Sequence, residues 1–312
     1  MELEGRIIRS LGGFFTVTTD SMREIALGGM GMGVGMNIVE CRARGLFRKE
    51  GRTPLVGDWV RILVQADNTG TVVDLLPRRN CLERPPLANL DQLFLVCSTV
   101  EPKTNLRLLD LLIAAAETAE IEPVLVFTKA DLSPADSLVN LYRSCGFSAH
   151  AVVPASEDAI AELRALLCGK ISAFCGNTGV GKSTLLNRLA PELRLPTGEI
   201  SQKLGRGRHT TRHVELFPVA GGWVADTPGF SALEAEGVAA LTKENLPLAF
   251  REFAPLLGGC RFQDCAHAKE LGCGVRTAAE AGEIPGSRYE NYLAIRSHLK
   301  EENEQKNRRN HV

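Results

Sequence analysis

One octapeptide constrains this chain more than any other feature: Gly176-Asn177-Thr178-Gly179-Val180-Gly181-Lys182-Ser183, with Thr184 next in line. It fits the pattern of glycine, four residues, then Gly-Lys-Ser. An apolar stretch over 171–175 reads as a strand, and 182–189 has helical spacing. Strand, glycine-rich turn and helix in that order make a phosphate cradle. Glycines let backbone N–H groups turn inward around phosphate oxygens, and the helix N-terminus adds partial positive charge. Lys182 then reaches the β- and γ-phosphates, and Ser183 is a ligand for Mg²⁺. Such a unit belongs on a parallel sheet, and the chain supplies the rest of one. Apolar strands are predicted at 92–97, 123–127 and 149–153, alternating with helices at 107–119, 137–145 and 159–167. Continuous apolar strands between helices mean an α/β domain with helices on both faces.

Thr128-Lys129-Ala130-Asp131 directly follows one of these strands. An aspartate at Asp131 can accept from guanine N1–H and the 2-amino group, whereas adenine would leave it unpaired. Lys129 can lie along the base with its aliphatic stem. Asp226-Thr227-Pro228-Gly229 follows another strand; Asp226 suits Mg²⁺, through water, and the Gly229 N–H suits the γ-phosphate. Between these lies a polar, basic, glycine-broken stretch, Gly205 to Arg212, as a switch segment should be. One of Thr210 and Thr211 supplies a second hydroxyl to Mg²⁺; Thr211 is the favoured ligand. Ser156 is a weaker candidate for the edge of the base.

In an ordinary G domain the phosphate loop comes first and the base-reading motif last; here the order is rotated. The arrangement resembles the circularly permuted GTPases. The whole chain resembles the small-ribosomal-subunit-dependent GTPase A (RsgA) family, with Gly207 to Thr211 and Asp226-Thr227-Pro228-Gly229-Phe230 adding to the match. The resemblance implies an N-terminal OB-fold barrel, GTP binding, and action in late maturation of the 30S subunit, with 16S rRNA as a partner. Thr128 departs from the usual asparagine, which implies looser base binding with Asp131 intact. The resemblance also implies Mg²⁺-assisted attack of water on GTP, yielding GDP and phosphate. Where small GTPases carry a water-orienting glutamine this chain has Phe230, so unassisted turnover should be slow, roughly 10⁻⁴ s⁻¹. His209 is the candidate replacement, its ring polarising water; the alternative is a histidine that contacts rRNA or solvent. Two other readings stand beside this one. An RNA-binding module holding GTP without turnover is opposed by Lys182, Ser183 and Asp226, and a P-loop ATPase or small-molecule kinase is opposed by Asp131.

Residues 1–80 read as short strands with glycine-marked turns, which suggests a small barrel. A glycine–methionine stretch over 28–35 reads as a loop, and 77–88, with three prolines, as a linker to a GTPase domain over 81–235. Net charge is −1, so no global field draws the protein to nucleic acid. Local patches remain: Arg42, Arg44, Arg48, Lys49 and Arg52 form either an RNA-facing surface or a solvated basic loop, and the tail carries Lys300, Lys306, Arg308 and Arg309. No apolar run is long enough to span a bilayer and the first residues do not resemble a signal peptide. A cytoplasmic monomer with no membrane partner is the expectation.

Residues 236–312 read as helical, around Cys260, Cys265, His267 and Cys273, spaced C-x₄-C-x-H-x₅-C. Three thiolates and an imidazole complete a tetrahedral shell with no open position, so one structural Zn²⁺ is expected; unligated thiols are the alternative. The other six of the nine cysteines, Cys41, Cys81, Cys97, Cys145, Cys168 and Cys175, are expected to be buried small hydrophobes. Because the second switch precedes this region directly, loss of the γ-phosphate is expected to tilt it.

Overall fold

The computed structural model of the chain describes residues 1–19, 37–45, 47, 51–83, 86–153, 155–191, 214–226 and 240–309. The glycine–methionine stretch, the switch residues His209, Thr210 and Thr211, and Gly229 lie outside the described residues, as do Arg48 and Lys49. Among those described, one sheet of 11 strands runs from the base-reading edge to the barrel, in the order β10-β9-β8-β11-β13-β12-β1-β2-β3-β5-β4.

Its parallel part comprises β8 (Gln92–Ser98), β9 (Glu122–Thr128), β10 (Ser148–Val152), β11 (Ile171–Cys175) and β13 (Gly222–Asp226). Every residue of β8 and β11 is buried, as continuous apolar runs between two helical layers require. Alternate side chains serve the two layers. Phe94, Val126 and Phe174 face α3 (Glu157–Leu167) and α4 (Lys182–Leu189), with Phe94 and Phe174 stacked at 4.5 Å. Leu95, Leu125 and Phe127 face the other way, onto α1 (Leu106–Thr118) and α2 (Asp136–Ser144). Each predicted helix forms within a residue or two of its expected bounds. Helix α1 begins where Asn105 Oδ1 accepts from the N–H groups of Arg107 and Leu108 at 3.1 and 3.2 Å.

The N-terminal barrel has five strands: β1 (Glu2–Leu11), β2 (Phe14–Thr18), β3 (Ile38–Ala43), β4 (Trp59–Val64) and β5 (Thr69–Leu75). It closes because β1 pairs with both β2 and β4. Ile7, Val17, Val39, Val60, Ile62 and Val72 fill it. Strand β1 also joins the barrel to the rest of the sheet. Its Arg9 pairs with Glu215 of β12 (Glu215–Val219), which lies antiparallel to β13. The stretch 77–88 is more ordered than a linker of prolines suggests. It carries a hairpin of β6 (Cys81–Glu83) and β7 (Pro86–Ala88), and Arg78 grips the buried Asp58 carboxylate at 2.6 and 2.7 Å. Two of the basic span's arginines are also committed: the Arg42 guanidinium lies 4.5 Å over the Phe14 ring, and Arg52 donates to Leu75 O at 2.7 Å. Cys81 and Cys168 are exposed, against expectation; the other four scattered cysteines are buried.

The C-terminal region consists of two 3₁₀ segments, Leu246–Ala249 and Arg251–Gly259, then α5 (Gly274–Glu280) and α6 (Gly286–Arg309). It is fastened to α1 by buried charge. Arg288, 1% exposed, donates to Asp110 at 2.5 Å and to Glu252 at 2.7 Å, with its guanidinium 4.4 Å over Phe250. Asp110 also accepts from Tyr142 Oη at 2.9 Å and Asn291 Nδ2 at 2.6 Å. A buried pair of this kind is tolerable only because its remaining polar atoms are satisfied. A second clamp sets Arg251 between Glu117 and Glu122, both at 2.6 Å.

Candidate guanine-nucleotide site

Strands β9, β11 and β13 all end at one edge of the sheet, and the three sequence motifs follow those ends. Ligands of parallel sheets bind at such carboxyl ends. Parallel pairing aligns Ser98 with Thr128 and Leu95 with Cys175, so the base-reading strand and the phosphate-loop strand flank the end of β8.

The phosphate loop leaves β11 at Gly176. A Cβ there would stand 2.5 Å from Val96 O, so only glycine lets the chain turn this close to β8. Gly179 and Gly181 have φ of +84° and +92°, and Val180 between them is buried while Asn177, Thr178 and Gly179 are exposed. Helix α4 starts at Lys182, so its unpaired N–H groups face the loop. Lys182 Nζ rests on Gly176 O at 3.4 Å, a long contact that a phosphate oxygen can replace. Ser183 is half-buried on the first turn and Thr184 is exposed.

Asp131 is exposed beyond β9, with its carboxylate open to solvent. Lys129 has φ of +59°, a left-handed conformation costly for a side chain of this kind. Its Nζ donates to Glu101 O at 2.6 Å, and Thr99 Oγ1 donates to Lys129 O at 2.8 Å. Thr128 is 5% exposed and turned inward, donating to Val180 O at 2.5 Å and Cys97 O at 3.0 Å. Ser156 Oγ caps α3, accepting from Ala159 N at 3.3 Å. Asp226 ends β13, opposite Glu215 of β12. Sequence reading missed Thr99, Glu101 and Pro102, which form the turn after β8 that braces Lys129; their position at a strand end was the available signal. A small cleft of about 40 Å³ flanks the loop on the α1 side, lined by Cys97, Pro102, Asn105, Leu109, Cys175 and Asn177. Burial pushes the Cys97 thiol up to about 12, so it stays protonated and unreactive there.

In the C-terminal region, the ligand atoms of Cys260, Cys265, His267 and Cys273 lie within 4.8 Å of one another. The sulfurs of Cys260 and Cys273 are each 3.5 Å from His267 Nδ1. Zn–S and Zn–N bonds of about 2.3 and 2.0–2.1 Å at a tetrahedral angle give an edge of about 3.6 Å. One nitrogen lone pair cannot serve two thiol protons at once, whereas a shared cation satisfies all four groups. Burial lowers the His267 pKa, keeping the ring in the neutral form that ligates. The loop is braced from outside: Glu270 accepts from the N–H groups of Ala266, Ala268 and Lys269, and Tyr289 and Tyr292 donate to His267 O and Ala266 O at 2.9 Å. This cluster can hold a metal ion.

The fold and the motif order together define a circularly permuted P-loop GTPase, carrying an N-terminal barrel and a C-terminal metal-loop region. The family model described as RsgA GTPase matches residues 75–236, and the RsgA N-terminal domain matches 34–72. The chain belongs to the RsgA family, a family of GTP hydrolases. It is 41% identical over 304 residues to the small ribosomal subunit biogenesis GTPase RsgA of Geobacillus sp. (strain WCH70), covering 96% of this chain and 98% of that one. The protein of the same name from Moorella thermoacetica (strain ATCC 39073 / JCM 9320) is 43% identical over 296 residues, covering 94% and 96%. Among solved structures, YloQ, a circularly permuted GTPase, superposes with a TM-score of 0.79 at 33% identity, covering 97% of this chain and 96% of that one. YjeQ from Thermotoga maritima gives 0.78 at 32% identity, covering 96% and 99%. No helix among the described residues is long and apolar enough to cross a membrane.

Proposed function

We propose that this GTPase acts in late maturation of the 30S ribosomal subunit and is activated by binding that subunit and its 16S rRNA. The names of the relatives support the ribosomal role. The observation that carries the nucleotide chemistry is the Thr128–Val180 hydrogen bond, which joins the base-reading strand to the phosphate loop across 52 residues of sequence. In this reading Asp131 selects guanine, with Lys129 along the base and Ser156 near its edge. The N–H groups from Gly176 to Thr184 surround the phosphates. Lys182 leaves Gly176 O for the β- and γ-phosphates, and the Gly229 N–H meets the γ-phosphate. Ser183, Thr211 and Asp226 hold magnesium, which when bound neutralises charge on the phosphate oxygens. His209, beside Thr210, polarises the attacking water. Cys260, Cys265, His267 and Cys273 hold a structural zinc. Division at residues 80 and 235 separates barrel, GTPase domain and metal-binding region, and the protein works as a cytoplasmic monomer.

Phosphate release with purified subunits tests this. The 30S subunit should raise turnover by about tenfold or more, and the 50S subunit should not. Equal rates with either subunit, or with none, end the proposal. In the same assay His209→Ala should lose the stimulated rate while retaining GTP affinity; a retained rate removes His209 from the mechanism.

A further inference from the structure

We propose that Thr99, the residue after β8, is a positioning residue for the base-reading turn and so sets how strictly the site demands guanine; this rests on the guanine-nucleotide reading above. The turn leaves β9 at Thr128 and reverses at Lys129, whose φ of +59° is costly for a residue with a Cβ. A strained residue keeps its conformation only where its surroundings hold it. The Lys129 carbonyl draws three donors: the N–H of Leu132 at 3.0 Å, the N–H of Ser133 at 3.3 Å and Thr99 Oγ1 at 2.8 Å. The first two belong to the turn and move with it. Thr99 belongs to the end of the neighbouring strand, so of these three bonds only its own ties the turn to the sheet.

Thr99 is itself fixed: its N–H donates to Thr128 O at 3.2 Å, and the preceding carbonyl, Ser98 O, accepts from Thr104 Oγ1 at 2.9 Å. Its hydroxyl has one proton, and the nearer acceptor takes it; Thr128 O lies farther off, at 3.3 Å. A second outside tie, Lys129 Nζ to Glu101 O at 2.6 Å, runs through a long flexible side chain and leaves the main chain free to tilt. Asp131 stands exposed two residues beyond Lys129, so a tilt of the turn changes the aim of its carboxylate. Guanine asks two bonds of that carboxylate at once, from N1–H and the 2-amino group, and a paired contact demands a fixed angle. Hypoxanthine has the N1–H and no 2-amino group, and a single bond tolerates a tilted acceptor. A turn that rocks therefore loses more with guanine than with hypoxanthine. The Thr99 hydroxyl acts on base selectivity through Asp131.

The test compares dissociation constants of the full chain for GDP and for IDP, whose base is hypoxanthine. Thr99→Val keeps the shape and removes the hydroxyl. It should weaken GDP by about three- to tenfold, the worth of one hydrogen bond, and IDP by less than about twofold, so the preference for GDP over IDP shrinks. Thr99→Ser, which keeps the hydroxyl, should restore both constants. Three results overturn the proposal: Thr99→Val binds GDP as wild type does; it weakens GDP and IDP by the same factor, the mark of general loosening; or Thr99→Ser loses as much as Thr99→Val, which makes the methyl group the cause. If Thr99→Val does not fold, Thr99→Ala against Thr99→Ser poses the same question. Wild type that binds ADP as tightly as GDP sinks the guanine reading and this proposal with it, and that failure is told apart because it shows in the unsubstituted chain.

Discussion

The metal loop and the phosphate loop are both short stretches of irregular backbone shaped around a small charged group, and they are held in opposite ways. Each has a non-glycine residue forced to positive φ nearby, His267 at +55° and Lys129 at +59°. The metal loop is braced on every side. Three N–H groups converge on Glu270, two tyrosines hold loop carbonyls, and Phe253 and Tyr292 pack 4.9 Å apart beneath it. The phosphate loop has three exposed residues in a row and few ties, chiefly Thr128 to Val180 and the long Lys182 contact. The difference is one of purpose. A resident ion can be part of the fold, whereas a nucleotide that must be bound and released cannot be.

Three experiments press on that contrast. Stripping the proposed zinc, or Cys265→Ser, should have the largest effect, since a structural zinc contributes on the order of 10 kcal/mol of folding free energy in small modules. The expected result is loss of helical circular dichroism from residues 240–309 while the sheet persists. Unchanged melting in a strong chelator would show that the braces suffice alone. Next, Asp110→Ala should cost about 1–3 kcal/mol in urea denaturation, because it removes one of the two carboxylates that Arg288 holds and leaves Tyr142 Oη and Asn291 Nδ2 without their acceptor. The smallest effect on stability belongs to Lys182→Ala, below about 0.5 kcal/mol. The same change should lower GTP turnover by roughly 10²–10³-fold. A melting temperature that falls as far for Lys182→Ala as for Cys265→Ser would erase the distinction between the two loops.

Features legible in the sequence were those whose determinants lie close together along it. The phosphate loop, the cysteine–histidine spacing and the buried strands each depend on fewer than about twenty consecutive residues, and the structure has strands and helices where periodicity put them. What stayed hidden depends on partners far apart. Thr128 looked like a weakened base reader because its acceptor lies 52 residues on, and Arg288, the partner of Asp110 in α1, is 178 residues away. Arg52 counted toward a basic surface until its donation to Leu75 O placed it against the barrel. Prolines in 77–88 signalled a connector but could not signal that Arg78 would anchor it to Asp58. The tilt expected of the C-terminal region also has to reckon with partners far apart in sequence. With Arg288 and Arg251 clamped to α1, to Glu117 and to Glu122, that region cannot swing without taking α1 along.

The rung between Arg9 and Glu215 couples the barrel to the rest of the sheet. Glu215 is the first residue of β12, and on its other side it pairs with Asp226, the last residue of β13. The N–H of Ala88 donates to Val56 O and the Asn89 side chain to Gly57 O, so a pull on the barrel is shared between β12 and the chain around β7. Part of such a load therefore arrives at Asp226, the end of β13.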